Sequence, residues 1–227
     1  AAFGVSDPAS LSFLDPPPAA ALKEARALLV ALGALDENGR LTESGAAMRG
    51  LALPVRLSHM VVEAAKSGAA LQAAMLAVLI TERGLGGDGV DLERRLERFR
   101  SDRSPRATQA RQLAERLARQ AQASAAAHHA GNGDGRASTP APPSPRPRGE
   151  GKDERQDDVA SPGTLLLHAW PDRVAKARGE RGRFLLANGS GAMLDGADPL
   201  AGADYLVVAD IQGKAQAARI TAAAPVT

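Results

Sequence analysis

Asp15-Pro16-Pro17-Pro18-Ala19-Ala20-Ala21-Leu22-Lys23-Glu24-Ala25-Arg26-Ala27-Leu28-Leu29-Val30-Ala31-Leu32-Gly33 is the stretch from which the reading of the fold starts. Proline fixes φ and is welcome at a helix start but not in its interior, so the triplet makes a stiff entry. Behind it, Leu22, Ala25, Leu28, Leu29 and Leu32 recur at three- and four-residue steps, which predicts a helix with one apolar stripe. Gly33 stops it at the position where a left-handed backbone commonly closes a helix. Toward the C terminus, Leu35 and Leu41 flank Asn38-Gly39, a strong hairpin signal. Thr42 then stands where a hydroxyl N-cap is wanted for a segment through Met48.

Further out the helical texture continues to about residue 125. Pro54 opens a helix in which Leu57, Met60, Val61 and Ala64 share a face, ending near Gly68. Ala69 to Thr81 is apolar nearly all round, which predicts a central buried helix. The glycine-rich tip Gly84 to Gly89 breaks it. Asp91 to Arg100 and Pro105 to Ala127 read as two more helices with charged outer faces. From about Ala126 to Pro162 the chain is Gly, Ser, Pro and mixed charge, with almost nothing apolar to offset its ordering entropy. This stretch is expected to be a disordered linker.

Beyond it the period changes. A short apolar lead-in, Leu165 to Trp170, precedes Pro171, and strands are expected over 173–178, 183–187, 192–194, 205–211 and 217–222. Turn-forming residues separate them, Gly179-Glu180-Arg181-Gly182, Asn188-Gly189, Asp195-Gly196 and Gln212-Gly213. Five short strands in about sixty residues fit a small barrel of the OB type. The expected fold class is therefore α+β and multidomain.

Composition excludes more than it asserts. Zero cysteines rule out a disulfide scaffold and thiolate metal sites, which leaves the cytoplasm as the default compartment. The longest apolar stretch, 69–80 interrupted by Gln72, is too short for a bilayer, so no membrane partner is expected. The chain starts at Ala1 with apolar patterning almost at once, as expected of a piece of a longer polypeptide. Only Lys152 and Lys214 follow a glycine, and Asp153 and Ala215 come next, so the Gly-Lys-Ser/Thr of a phosphate-binding loop is missing. None of the four histidines follows an Asp-Glu-Ala run. His128-His129 has no carboxylate or cysteine at metal-ligand spacing, and Asn188-Gly189-Ser190-Gly191 reads as a turn rather than a nucleophile elbow. No catalytic residue, cofactor site or metal site is expected in this chain.

Phe13-Leu14-Asp15-Pro16-Pro17-Pro18 is very similar to the Phe-Leu-Asp-Pro-Pro element of DEAH/RHA helicases, where the second motor domain hands over to a winged helix. Ala27 to Asp36 follows at the family's spacing, and Gly39-Arg40-Leu41-Thr42 and Gly45-Ala46-Ala47-Met48 match the wing and the next helix. Leu53-Pro54-Val55-Arg56-Leu57-Ser58-His59-Met60 resembles the family's Leu-Pro-x-x-Pro-Arg-Leu block, with one residue fewer and the second proline missing. Leu165 to Ala175, Gly182 to Gly189, Asp198-Pro199-Leu200 and Leu206 to Asp210 resemble the HrpB-like branch. The resemblance implies a winged helix over 1–54, a helical ratchet domain over 55–125, the linker over 126–162 and an OB-like β domain over 163–227. It also implies motor domains absent from this chain that bind ATP and Mg2+ and drive RNA unwinding.

The basic residues are 23 Arg and 5 Lys at a net charge of only +2. Arginine suits bidentate phosphate contacts, yet an Ala/Arg/Gly/Pro-rich, GC-rich-looking sequence is arginine-rich for compositional reasons too. Two clusters are candidates for contact with single-stranded RNA or DNA: Arg94, Arg95, Arg98, Arg103 and Arg106 on the helical part, and Arg173, Lys176, Arg178, Arg181 and Arg183 on the first predicted hairpin. The opposing reading is a solvated face with helix pairs such as Asp91–Arg95 and Glu115–Arg119. Phe184 and Trp170 are expected to be core, so the surface is expected to track backbone rather than read bases. The expected role is to support unwinding by the motor domains; the alternative is a non-enzymatic nucleic-acid-binding or scaffold module.

Overall fold

The computed structural model describes residues 18–131, 160–213 and 218–226, with side chains in the first span up to residue 127. The Phe13–Pro17 block, the middle of the expected linker and His128-His129 as a metal site lie outside the described residues or side chains. The apolar stripe after the prolines forms α1, Ala19–Ala31. Gly33 closes it at φ +64°, a conformation that costs glycine no Cβ clash. Leu35 and Leu41 then bridge antiparallel, as the Asn-Gly turn demands. Thr42 caps α2, Glu43–Gly50: its Oγ1 accepts from Gly45 N at 2.9 Å and donates to Gly33 O.

Four helices build the bundle above this base. In α3, Val55–Lys66, the buried face is Leu57, Met60, Val61 and Ala64. In α4, Ala70–Thr81, every residue from Ala73 to Leu79 is buried, the all-round burial its composition requires. α5, Leu92–Ser101, buries only Leu92, Leu96 and Phe99. α6, Pro105–Gly131, lays Ala107, Ala110, Ala114, Leu117, Ala118 and Ala121 on the core. Mostly alanine on that face lets α6 lie close against α4, because interhelix distance follows the side chains at the contact.

The linker reading needs correction at both ends. Residues 126–131 continue α6: the alanine run at their start extends an existing helix at little cost. At the other end Pro162 and the apolar lead-in form α7, Pro162–Ala169, capped by Ser161 Oγ, which accepts from Thr164 N at 3.2 Å. Ser161-Pro162 is a helix start with proline in its favoured first position. Leu165, Leu166 and Ala169 of α7 are buried in the same cluster as α3 and α4.

The strands are β1 Val174–Ala177, β2 Arg183–Leu186, β3 Gly191–Met193, β4 Tyr205–Gln212 and β5 Ala218–Pro225. They close as β1-β2-β3-β5-β4, with β3 and β5 parallel and every other pair antiparallel. Phe184, Leu186, Leu194, Leu206, Val208 and Ile220 fill the interior. Successive strand residues face opposite sides, so Val207, Ala209, Ala222 and Ala224 point outward and join the helical core instead. Ala223 N also donates to Val90 O at 3.0 Å, and Ala223 bridges in parallel with Asp91, the N-cap of α5.

Candidate nucleic-acid interface

The α5 cluster is positioned by its buried stripe. Leu92, Leu96 and Phe99 face inward, so the arginines between them reach around the rim. Asp91 Oδ1 caps the helix by accepting from Glu93 N and Arg94 N at 2.9 and 3.2 Å. Its second oxygen pairs with Arg94 at 3.4 Å, so the Asp91–Arg95 pair expected from spacing is not the one formed.

Arg95 is half-buried and its Nη2 donates to the carbonyls of Leu79 and Leu85 at 3.4 and 3.5 Å. Burial pushes its guanidinium pKa below the ordinary value, and Asp88 opposes that. Its buried Nε finds no partner among the described residues. Arg98 donates to Gly86 O at 3.4 Å and Arg106 to Arg83 O. Arg111, outside the predicted cluster, holds Phe99 O and Asp102 O at 2.9 and 2.6 Å. Much of this arginine series therefore ties the glycine-rich loop and the α5–α6 turn to the bundle. Arg103 is exposed and makes no hydrogen bond or ion pair among the described residues. The expected Glu115–Arg119 pair forms at 3.9 Å between exposed side chains.

The hairpin cluster divides as well. Arg173 lies in a short helical turn, Pro171–Arg173, ahead of β1, and donates to Ala209 O at 3.0 Å. Arg181 Nε donates to Gly196 O at 2.9 Å. Both guanidinium groups tether backbone through one nitrogen each, Arg173 from a half-buried position and Arg181 from an exposed one. Lys176, Arg178 and Arg183 remain, all exposed on the outside of the barrel. Arg178 N donates to Arg183 O at 2.9 Å, so the two arginines stand across the strand pair. They border a groove of about 370 Å³ that also touches Gly179, Glu180, Gly191 and Met193. Glu180 lies 3.7 Å from Arg183 and is itself well exposed, so this pair is screened by solvent.

The aromatics fall as expected for two of three. Phe184 is inside the barrel and Trp170 lies in the shared core. Tyr205 is 44% exposed on the outer face, with Lys176 Nζ 5.9 Å from its ring centroid. As the first residue of β4 it alternates with the buried Leu206 and faces out. Gly189, at φ +83°, and Asn188 Oδ1, accepting from Ser190 N at 3.0 Å, make the Asn-Gly-Ser-Gly stretch a turn. Among the described residues there is no group of three or more His, Cys, Asp or Glu able to hold a metal ion. No helix among them is long and apolar enough to cross a membrane.

Residues 25–53 match the helicase-associated domain (HA2), winged-helix. Over 208 residues the chain is 33% identical to the ATP-dependent RNA helicase HrpB of Escherichia coli (strain K12), covering 90% of this chain and 21% of that protein. A crystal structure of the E. coli DExH-box NTPase HrpB superposes with a TM-score of 0.71 at 32% identity, covering 99% of this chain and 23% of that one. A second, of the Escherichia coli DEAH/RHA helicase HrpB, gives 0.70 at 30% identity, over 99% and 24%. The chain thus spans about a fifth of the length of the curated relative it matches.

Proposed function

This chain carries the C-terminal region of an HrpB-like helicase, and from that premise we propose that it is the accessory part of an ATP-dependent RNA helicase that holds a single strand for motor domains outside this chain. ATP and Mg2+ would bind those motor domains, since the Gly-Lys-Ser/Thr needed to cradle them is missing here. The observation that carries the reading is the exposed set Lys176, Arg178 and Arg183 on the first strand pair, of which Arg178 and Arg183 border the barrel groove. Three cations on one strand pair attract a phosphate backbone whatever its sequence. Exposed Arg103 adds a fourth cation, on the helical side. A cytoplasmic setting fits the cysteine-free sequence.

The test is titration of the chain into labelled single-stranded RNA of several sequences, followed by fluorescence anisotropy over a range of salt. Binding is expected to be weak, indifferent to sequence and steeply weakened by salt. K176Q, R178Q and R183Q together should weaken every sequence alike and flatten the log–log salt dependence by about 0.7 per lost single-strand contact. Salt-independent binding, or unchanged binding after neutralisation, would reject the reading and leave a scaffold for the motor. DNA of matching sequence decides between the two nucleic acids.

A further inference from the structure

Tyr205 is the single tyrosine of the chain, and the outward side of β4 presents its ring to solvent while Leu206 to Ala209 behind it are all buried. It pairs in register with Lys176 on β1, and Lys176 pairs with Leu185 on β2. Side chains directly opposite each other on neighbouring strands share a face. Leu185, 38% exposed, Lys176 and Tyr205 therefore form one row across three strands on the outside of the barrel. Arg183, two residues from Leu185, begins the next row, in register with half-buried Met193 on β3 and opposite Arg178. Acidic groups at this face include Glu180, against Arg183, and exposed Asp204, which precedes Tyr205 in the chain. A flat aromatic ring thus lies one strand spacing from Lys176, with exposed Leu185 on the next strand and Arg178 and Arg183 two residues further along.

We propose that Tyr205 is a stacking platform for one base of a single strand whose phosphates follow Lys176, Arg178 and Arg183. The proposal rests on the reading that this face binds single-stranded nucleic acid, and it adds a base contact to a surface otherwise expected to touch backbone alone. A protein partner is the less favoured occupant, because a surface carrying more cations than carboxylates around one aromatic ring matches a nucleotide, which offers a π face and an anion together. Any base has a π face, so the contact is tolerant of sequence. Lys176 beside the ring, on a strand about 4.8 Å away, holds the cation within one nucleotide of the stack.

The experiment compares a single-stranded RNA with an abasic ribose-phosphate strand of the same length at one salt concentration, using the full chain, Y205F and Y205A. The wild-type chain should bind the base-bearing strand about tenfold more tightly than the abasic one. Y205F should keep that margin; Y205A should lose it while binding the abasic strand as the wild type does, with circular dichroism unchanged. RNA carrying 5-iodouridine should crosslink at the Tyr205 peptide. Equal binding of both strands by the wild type, or an equal loss on both in Y205A, overturns the stack while leaving phosphate binding intact. No binding of either strand overturns the face itself and the stack with it. Loss of association with the upstream motor segment in Y205A, with RNA binding unchanged, assigns the face to a protein contact and overturns the proposal.

Discussion

Arg56 and Asp172, 116 residues apart in the chain, meet in a two-pronged pair, Nη1–Oδ1 at 2.7 Å and Nη2–Oδ2 at 3.2 Å. Arg56 opens α3 of the helical part and Asp172 lies in the turn that leads into β1. Arg56 Nη1 also donates to Ala169 O at 2.8 Å, the last residue of α7. One guanidinium thus clamps both the end of α7 and the entry to the barrel. Its side chain is 22% exposed against 45% for Asp172, so the two partners are not equivalent.

Removing Arg56 leaves the α7 carbonyl and the carboxylate both unpaired, whereas removing Asp172 leaves the arginine its carbonyl. Arg56→Ala should therefore cost about 2 kcal/mol, and Asp172→Ala about 0.5–1 kcal/mol. Urea unfolding of the two variants checks the order. A larger loss from Asp172→Ala would show that the carboxylate, not the carbonyl contact, holds the junction.

Gly163 tests how closely α7 is seated. A Cβ there would stand 2.0 Å from Pro225 O and 2.9 Å from Pro225 C, backbone atoms that cannot swing aside. Gly163→Ala should cost about 3 kcal/mol, the upper end of overpacking. Gly196→Ala meets nothing within 4 Å and should stay within about 0.5 kcal/mol. Thermal unfolding that ranks the two variants the other way would show α7 free to move off β5.

Arg95 and Arg103 should separate stability from binding. Arg95→Gln loses donors to Leu79 O and Leu85 O, for an expected cost of about 1 kcal/mol with RNA affinity unchanged. Arg103→Gln should leave stability within about 0.5 kcal/mol and weaken RNA binding through a lost phosphate contact. Denaturation and anisotropy on both variants read the two effects. An affinity loss in Arg95→Gln at full folding would return that residue to the interface.

His168 on α7 ties the same junction to pH. Burial pushes its imidazole below the ordinary 6.5; Glu63 works against this, and His59 and Lys66 add to the lowering. A folded-state value below the unfolded one means that protons favour the unfolded chain. This contribution is intact above the unfolded value, and stability falls as pH drops below about 6.5 toward the depressed value. The urea midpoint should be lower at about pH 5.5 than at about pH 7.5, and His168→Gln should shrink the difference. An identical pH dependence in wild type and variant would place the sensitive group elsewhere. His59 Nδ1, 2.8 Å from His168 O, is the neighbour to vary next.

Much of the fold was legible because its signals are local. Gly33, the Asn38-Gly39 turn and the Thr42 cap act over a handful of residues, and each sits where its chemistry requires. The buried faces of α3 and α4 follow from spacing alone. The strand segments were legible from turn residues, as was the inward placing of Phe184. The helical character of α7 was hidden because eight residues are too few for a clear period, although Ser161-Pro162 carried the start signal.

The candidate site was legible only as a list of cations. Sequence by itself determined which residues are arginine and lysine, which stretches other than α7 form helix or strand, and that the phosphate-loop chemistry is missing from the chain. Tertiary structure decided what each cation does. Arg95, Arg173 and Arg181 donate to carbonyls of segments other than their own, and no spacing rule sees a partner ten or more residues away. The same holds for Lys176, which meets Tyr205 only because β1 pairs with β4 when the barrel closes. Helical and turn preferences are short-range energies written in neighbouring residues. A guanidinium's choice between a buried carbonyl and a phosphate depends on which backbone the packed chain brings within its reach.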